Sequence, residues 1–238
     1  MKGWKKRLLF VGIVIVLLIL ILIAVYLMMN ARSFQLFGKL INRVETDEKV
    51  VFLTFDDGPT ENTPRVLNTL DALDVKATFF LIGKSMEEHK AFAQQIIEAG
   101  HAVGNHSYTH TRLVFRPLSD IKEEVNKTNE IIRSFGYDKE IFFRPPNGKK
   151  LLLLPWYLKE TGQTTVMWTL EPDSYSDVNQ DADSMAQYVI DNVSNGAIIL
   201  LHPMNDKTDK TLDAVEIIVT KLRDRGYRFA TLPEGLSE

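Results

Sequence analysis

The chain has 238 residues, of which 45% are hydrophobic and 25% are charged, and its formal net charge at pH 7 is −3. This length and apolar content suit one well-buried domain and exclude a chain that is disordered throughout. The chain has no cysteine, which excludes a disulfide-stapled miniprotein, a thiolate metal site and a catalytic cysteine.

The N-terminal segment differs from the rest of the chain. Four basic residues lie within residues 1–7, and an apolar run without charge follows over residues 8–29. At ~1.5 Å rise per residue, a helix over this run crosses the ~30 Å hydrocarbon core of a bilayer. Because basic residues favour the cytoplasmic side, we expect residues 1–7 to form a cytoplasmic tail and residues 8–29 a single-pass transmembrane anchor. The rest of the chain would then be extracellular.

A cleavable signal peptide is the alternative for this segment. Its apolar region is usually shorter, ~7–15 residues, and it ends in a small-residue site. Residues 28–32 read MMNAR and contain no A-x-A site. The sequence therefore favours an uncleaved anchor in the cell membrane.

The outer part of the chain is acidic. Without the four basic residues of the tail, 24 lysines and arginines stand against 31 acidic residues, a net charge of −7. An acidic chain without a basic stripe is a poor nucleic-acid binder, so no nucleic-acid partner is expected. The sequence makes no prediction of protein partners.

Residues 30–48 predict a polar linker, and residues 49–238 predict one domain in which strands alternate with helices. Predicted strands lie at 50–55, 77–82, 102–103, 141–143, 164–168, 197–201 and 228–230. Predicted helices lie at 62–74, 87–99, 119–134, 151–161, 183–194 and 209–225. Strands separated by helices imply a parallel sheet with helices outside it. Periodicity alone leaves open a barrel or an open doubly wound sheet.

Polar residues follow five of the predicted strands, within residues 56–57, 105–110, 144–148, 171–175 and at 202. In both parallel architectures the active site lies at the carboxyl ends of the strands. We therefore expect these five clusters to meet in one site.

Two of the clusters have metal-ligand character. His106 and His110 have the i, i+4 spacing that lets two imidazoles share a metal. With Asp57 they would make a three-ligand set with open positions, as a catalytic divalent ion requires. Asp56 adds a second carboxylate beside this set. An Asp-Gly turn and unrelated surface histidines are the structural alternatives.

Two other clusters carry Arg144 and His202. Arg144 precedes Pro145 and Pro146, which stiffen the backbone, and His202 ends an apolar strand. An imidazole that emerges from a buried strand into a cleft is a candidate general acid. A structural turn and a satisfied core histidine are the alternatives here.

The combination of TFDDGP, HSYTH, RPPNG and an apolar strand ending in His resembles the polysaccharide deacetylases, carbohydrate esterase family 4, also called the NodB-homology domain. The resemblance covers about residues 48–233. It implies an α/β fold, a distorted (β/α) barrel of about seven parallel strands, here preceded by one transmembrane helix. It also implies metal-dependent removal of acetyl groups from a glycan, with N-acetylglucosamine of peptidoglycan or chitin as the common target.

Carried over by motif, the resemblance implies a role for each matching residue. Asp56 matches the general base, His202 the general acid, and Arg144 the arginine that orients the base. The metal ligands would be Asp57, His106 and His110, and the metal would be Zn²⁺, with Co²⁺ or Mn²⁺ as alternatives. The resemblance places three further residues at the oxyanion and substrate-binding positions, namely Pro146, Asn147 and Trp168.

The chain departs from the family pattern in three places. Asn147 stands where a tyrosine is common, and Pro203 follows His202 where an aspartate is common. The usual D-x-x-D-W element appears as EPDSY over residues 171–175, so Glu171 and Asp173 are both candidates for the carboxylate that tunes the acid.

Two other functions remain as alternatives. One is a weak or inactive glycan-binding protein of the cell wall on the same scaffold. The other is a non-haem iron oxygenase, because two histidines and one carboxylate also suit Fe(II). Asp56 beside the ligand set and the alternating strands and helices favour hydrolysis.

Overall fold

The structure, a computed structural model, describes residues 2–205 and 208–236. Its strands are β1 (Leu40–Ile41), β2 (Val50–Gly58), β3 (Thr78–Leu81), β4 (Ala102–Asn105), β5 (Thr165–Val166), β6 (Ala197–Leu201) and β7 (Arg228–Phe229). Its α-helices are α1 (Lys2–Asn30), α2 (Thr63–Ala72), α3 (Gly83–Glu88), α4 (Lys90–Glu98), α5 (Leu118–Ser134), α6 (Leu153–Glu160), α7 (Ala182–Asn192), α8 (Lys210–Asp224) and α9 (Leu232–Leu236). Short 3-10 turns lie at Pro146–Gly148 and Pro172–Ser174.

The sheet is built around β2, and its ladders are all parallel. The strand order is β4-β3-β2-β6, and β7 pairs with the start of β2. The register places Thr54 opposite Thr78 on one side and Leu200 on the other. The predicted α/β fold with parallel strands is confirmed.

Single-residue bridges continue the pairing beyond these ladders. Phe143 bridges Asn105 on one side and Thr165 on the other, and Leu170 bridges Ile199 of β6. Single bridges thus link β4 to β5 through Phe143, and the chain after β5 to β6 through Leu170. Because the ladders are parallel, the carboxyl ends of the strands lie together at one edge of the sheet.

The two faces of β2 belong to different apolar cores. Val51, Leu53 and Phe55 pack in the core shared with the helices, whereas Val50 and Phe52 pack in the core enclosed by the strands. Successive side chains of a strand point to opposite faces, and a parallel strand covered on both faces reads as a continuous apolar run. This explains why the strand that carries the acidic pair is so apolar before Thr54.

Helix α1 stands apart from these cores. It is long and apolar enough to cross a membrane by length and composition, and the apolar window within Gly3–Asn30 is not buried in the rest of the molecule. Its 29 residues span roughly 44 Å at 1.5 Å per residue.

The structure differs from the predicted elements in several places. Residues 141–143 form no strand, and only Phe143 pairs, because the prolines at 145 and 146 lack the N–H that a longer ladder needs. The predicted helix 87–99 is two helices that meet at His89, whose ψ of 51° is not helical.

The strand β1 and the helix α9 were not predicted. Strand β1 lies within the predicted linker, and so does Val44, which is buried in the inner core.

Candidate active site

Three side chains at the carboxyl ends of β2 and β4 converge on one point. The ligand atoms of Asp57, His106 and His110 all lie within 4.8 Å of one another. Asp57 Oδ1 lies 3.1 Å from His110 Nε2 and 3.4 Å from His106 Nε2. The structure thus brings together the three residues that the sequence predicts as metal ligands.

The backbone at the end of β2 lets two adjacent carboxylates face the same centre. Side chains of neighbouring strand residues normally alternate between faces. Asp57, however, has φ of 70°, and the pairing of β2 with β3 shifts register between Asp56 and Gly58. This irregularity re-aims the second carboxylate, as bulges next to active sites commonly do.

The loop after β4 is held by two polar side chains of the predicted cluster 105–110 to which the sequence analysis gave no role. Asn105 accepts a hydrogen bond from the Ser107 backbone N–H at 2.7 Å and donates to the Val125 carbonyl at 2.8 Å. Ser107 Oγ accepts the backbone N–H of His110 at 3.0 Å. These bonds position both histidines through the backbone.

Helix α5 supplies a second support for this loop. One oxygen of Glu124 accepts the backbone N–H groups of Tyr108 and Thr109, at 2.8 and 2.9 Å, and the other accepts the Thr109 hydroxyl at 2.6 Å. Nothing in the local sequence links Glu124 to the histidines. The contact forms only in the folded chain, where α5 packs against the loop.

The Asp57 oxygen is a suitable partner for a cation. Asp57 Oδ1 is buried and has no hydrogen-bond partner among the described residues. Burial alone would raise the pKa of Asp57, but the attraction of His106 and His110 outweighs it and holds the pKa well below its usual range. The same contact with Asp57 raises the pKa of His110. Electrostatics therefore keep a carboxylate and two imidazoles together.

His106 has the second contact that metal-bound histidines commonly show. Its Nδ1 lies 2.8 Å from the Arg144 carbonyl oxygen, which leaves Nε2 to face Asp57. A ring N–H held by a carbonyl fixes the tautomer and the ring orientation. An orphaned buried carboxylate oxygen, two facing imidazole nitrogens and this support fit a divalent cation such as Zn²⁺.

Asp56 is held on the other side by Arg144. Arg144 Nη1 donates to Asp56 Oδ1 at 2.7 Å and to Thr54 Oγ1 at 2.9 Å, and Nη2 donates to the Met167 carbonyl at 3.2 Å. The guanidinium is fully buried and lies 4.0 Å from the ring centre of Phe80. Burial lowers the pKa of Arg144, and the ion pair with Asp56 opposes that shift. The pair leaves Asp56 Oδ2 directed toward His106, at 3.6 Å from Nε2.

His202 lies at the end of β6 and pairs with Asp173. Asp173 Oδ2 accepts the His202 backbone N–H at 2.6 Å and lies 3.1 Å from its Nδ1. Burial would lower the pKa of His202, but Asp173 outweighs it, with help from Asp56 and Asp57, and the pKa rises to about 9. Of the two carboxylates that the sequence left open, Asp173 is the one beside this imidazole.

Glu171 has different partners. One of its oxygens accepts the Trp168 indole N–H at 2.8 Å and the Arg32 guanidinium at 2.9 Å. Arg32 also lies 4.8 Å above the Trp168 ring. Glu171 therefore organises the wall of the cavity and does not contact His202.

The turn at Pro146–Gly148 forms the opposite rim. Asn147 has φ of 54°, and its side-chain oxygen accepts a hydrogen bond from Arg112 Nε at 3.0 Å. A Cβ on Gly148 would lie only 2.8 Å from Trp168 Cη2, so a glycine lets this turn pack against the indole. Pro146 is buried and stiffens the turn.

These groups surround a cavity of about 280 Å³. The cavity is lined by Asp56, Asp57, His106, His110, Asn147, Trp168, Glu171 and His202, together with residues outside the predicted set such as Asn30 and Arg32. Arg144, Pro146 and Asp173 stand behind this lining and support it. Five polar clusters that are distant in sequence thus meet at one edge of the sheet.

The two other histidines lie outside the cavity. His101 is buried, and its Nδ1 accepts the Ala77 backbone N–H at 3.1 Å. Burial lowers the pKa of His101 to about 4, which keeps the ring neutral. His89 lies 3.6 Å from Glu61 at the junction of α3 and α4.

The chain is similar to known proteins over most of its length. A family model described as polysaccharide deacetylase matches residues 43–166. A curated peptidoglycan-N-acetylglucosamine deacetylase of Bacillus cereus is 32% identical over 215 residues, which are 88% of this chain and 98% of the relative. A peptidoglycan-N-acetylmuramic acid deacetylase of Bacillus subtilis is 31% identical over 81% of this chain and 73% of its own.

A solved structure with the same fold belongs to a protein described as a pseudoenzyme. It is a family 4 carbohydrate esterase pseudoenzyme from Bacillus anthracis, 32% identical, with a TM-score of 0.75 over 84% of this chain and 70% of its own. Family model, curated relatives and solved structure agree with the parallel fold and the clustered motifs. The chain therefore belongs to the polysaccharide deacetylase family, carbohydrate esterase family 4.

Proposed function

We propose that the protein is a metal-dependent hydrolase that removes N-acetyl groups from cell-envelope glycan, with N-acetylglucosamine units of peptidoglycan as its substrate. The observation that carries this proposal is the arrangement around Asp57, His106 and His110. An arginine-paired carboxylate, Asp56, stands on one side of this set, and a carboxylate-paired imidazole, His202, lines the same cavity. Hydrolysis of an amide needs a base, an acid and an electrophile around one carbonyl, and the arrangement supplies a place for each.

Asp57, His106 and His110 would hold the divalent cation, Zn²⁺ in the first place, with Co²⁺ or Mn²⁺ as alternatives. When bound, the cation would supply Lewis-acid polarisation of the acetyl carbonyl and would acidify water.

Asp56 would act as the general base. Arg144 fixes one of its oxygens and leaves the other free to accept a proton from water. The water oxygen forms a bond to the acetyl carbon, and the carbonyl oxygen gains the negative charge. The backbone N–H of Asn147 is the candidate donor to that oxygen.

His202 would act as the general acid. Its raised pKa keeps the ring protonated at neutral pH, so it can donate a proton to the sugar nitrogen as the carbon–nitrogen bond breaks. The products are acetate and a glycan with a free amine. Asp173 would keep the ring protonated and oriented through Nδ1.

Similarity to relatives supports peptidoglycan as the substrate. The Bacillus cereus relative is named for N-acetylglucosamine and the Bacillus subtilis relative for N-acetylmuramic acid. We place N-acetylglucosamine first because the match named for it is more complete over both chains.

A glycan-binding protein with weak or no activity is the second candidate. The Bacillus anthracis pseudoenzyme with the same fold favours it. The presence of Asp56, the three ligand residues and His202 in one cavity favours an active enzyme.

We further propose the domain arrangement and location that the sequence predicts. Residues 1–7 would be a cytoplasmic tail, residues 8–29 a transmembrane anchor and residues 49–238 an extracellular catalytic domain. Residues 30–48, predicted as a linker, would connect the two while packing against the domain through β1 and Val44. The helix Lys2–Asn30 and the basic tail before its apolar run support this arrangement.

The test is acetate release by the purified full chain in detergent. The protein would be stripped of metal, reloaded with Zn²⁺, Co²⁺ or Mn²⁺, and given N-acetylglucosamine oligomers or purified peptidoglycan. Metal-dependent acetate that disappears in Asp56→Asn would support the deacetylase. Metal uptake without acetate from either substrate would favour the glycan-binding protein.

A further inference from the structure

The segment that follows the N-terminal helix is part of the cavity wall. Asn30, the last residue of α1, and Arg32 both line the cavity that contains Asp57 and His110. These residues lie upstream of the family match, which begins at residue 43. The motif residues therefore do not account for this side of the site.

Backbone and side-chain contacts fix the segment against the turn at Pro146–Gly148. Asn30 Oδ1 accepts a hydrogen bond from Lys149 Nζ, and the Ala31 carbonyl accepts one from Lys150 Nζ. The Lys150 backbone N–H donates to the Met29 carbonyl at 3.3 Å. The Lys150 side chain is almost completely buried, so the Ala31 carbonyl gives a buried ammonium its partner.

Arg32 connects the segment to the aromatic side of the cavity. It pairs with Glu171 at 2.9 Å while Glu171 also accepts the Trp168 indole N–H at 2.8 Å. The guanidinium lies over the Trp168 ring, whose far edge packs against Gly148. Arg32 thus helps to hold the indole in place at the cavity.

The position of this segment limits the distance between the cavity and a membrane crossed by α1. Arg32 lies three residues after Met29, the end of the apolar run. A fully extended chain covers at most ~3.6 Å per residue, so these three steps span at most about 11 Å. The headgroup layer on each side of a bilayer is itself roughly 5–8 Å thick. The cavity would therefore lie at the membrane surface.

The loop beside the cavity has an apolar edge on the same side. Leu152 and Leu153 come shortly after Lys149 and Lys150, with Leu151 between the two pairs, and they are 48% and 38% exposed. Leucines next to lysines that contact the end of a membrane helix suit the interface between headgroups and acyl chains.

We propose that residues 30–32 form a wall of the substrate cleft, in which Arg32 is a positioning residue for Trp168, and that the enzyme acts on acetylated glycan held at the membrane surface. This inference rests on the proposed deacetylase function and names the location of its substrate.

Substitution of Arg32 tests the wall. In the full chain in detergent, Arg32→Ala should raise KM for N-acetylglucosamine oligomers by roughly 5-fold, as the loss of a partly exposed ion pair and a cation–π contact implies, with kcat and metal content little changed. Arg32→Lys keeps the charge but loses the planar stacking, so it should restore part of the affinity.

The matched control is Arg116→Ala, which removes an exposed arginine paired with Asp120 away from the cavity. A KM for Arg32→Ala equal to that of the Arg116→Ala control would overturn the role of Arg32. A loss of metal or of folding in Arg32→Ala alone would assign Arg32 to stability and also overturn it.

A spacer tests the location of the substrate. A flexible Gly-Ser linker of about eight residues between Met29 and Asn30 would lift the cleft by roughly 15 Å. We expect several-fold slower acetate release from lipid-linked N-acetylglucosamine oligomers in phosphatidylglycerol and phosphatidylethanolamine vesicles, with unchanged release from soluble oligomers. The control carries the same linker between Gly3 and Trp4. Equal rates for both insertions on the vesicles would overturn the membrane-surface substrate.

A readout without turnover separates this inference from the proposed function. The chain has no cysteine, so Asn30→Cys introduces a single thiol at the cleft and Glu45→Cys a single thiol at an exposed site outside it. N-acetylglucosamine oligomers should slow maleimide labelling of the first thiol and not of the second. Labelling that the oligomers leave unchanged at both positions would overturn the wall, whether or not the wild type releases acetate.

Discussion

Asp56 and Asp57 are neighbours in the sequence, yet the structure gives them different principal partners. Asp56 faces a buried arginine, whereas Asp57 faces two imidazoles. The positive φ of Asp57 directs both carboxylates to one centre, where two negative charges would repel each other without positive groups on either side. At the scale of single residues, this difference in partners is the reason to give one the role of base and the other that of ligand.

Removal of a ligand should remove the metal. We expect Asp57→Ala or His106→Ala to abolish tight binding of Zn²⁺, since each leaves only two protein ligands. Metal content of the full chain after dialysis measures this directly. Unchanged stoichiometry in both variants would contradict the ligand assignment.

Asp56→Asn should separate chemistry from metal binding. We expect metal to remain bound while turnover falls about 10²–10⁴-fold, because the base is lost. Arg144 would lose a buried partner charge, so the free energy of unfolding should also fall by roughly 3–5 kcal/mol. Acetate release and urea denaturation of the same preparation measure the two effects, and near-normal activity would mean that another group is the base.

Asp173→Asn should change the pH dependence of turnover. His202 can donate its proton only while protonated, so activity should fall as the pH rises through its pKa. Asp173 raises that pKa, so its neutralisation should move the alkaline limb of the kcat profile to lower pH. A bound cation would lower the pKa of His202 in both proteins by repulsion, so the displacement between the two profiles is the diagnostic quantity. Asp177→Asn, a nearby exposed carboxylate, is the control and should leave the limb in place.

At the scale of elements, the loop between β4 and α5 places both histidines. It has positive φ at Ser107 and at His110, so it does not have the helical form in which an i, i+4 pair usually shares a face. Asn105 and Glu124 accept hydrogen bonds from backbone N–H groups of the loop and so stabilise this non-helical conformation. The i, i+4 spacing of the histidines indicated a shared site. The structure brings them together in a loop held by side-chain hydrogen bonds and not in a helix.

Glu124 should therefore affect metal affinity without touching the metal. We expect Glu124→Gln to weaken Zn²⁺ binding by about 10–100-fold with the fold intact, as outer-shell substitutions commonly do. Competition with a chromophoric chelator measures the affinity. Glu123→Gln, an exposed neighbour on α5, is the matched control, and equal affinities for the two variants would contradict the role of the loop.

At the scale of the whole molecule, a long apolar helix adjoins a domain whose cavity begins at the last residue of that helix. The basic tail favours a cytoplasmic N-terminus, which would place the cavity outside the cell. The anchor and the catalytic domain would then act as one unit at the membrane surface.

Protease accessibility tests this orientation. In intact cells with the outer surface exposed, a C-terminal tag should be cleaved by added protease and an N-terminal tag should be protected. Both tags should remain on one chain of full mass, as the proposed uncleaved anchor requires. An N-terminal tag lost from the mature protein would contradict the anchor and favour a signal peptide.

The sequence by itself determined the parallel α/β fold and the five clusters of polar residues. It did so because parallel strands end at one edge, so residues after different strands must meet there. The tertiary structure alone decided between Glu171 and Asp173, since two carboxylates two residues apart reach different partners through the 3-10 turn at Pro172–Ser174. It also decided that Arg32 belongs to the cavity, through a contact with Glu171 across 139 residues. Local pattern carries no record of such a contact, because its energy arises only when the folded chain brings the two side chains together.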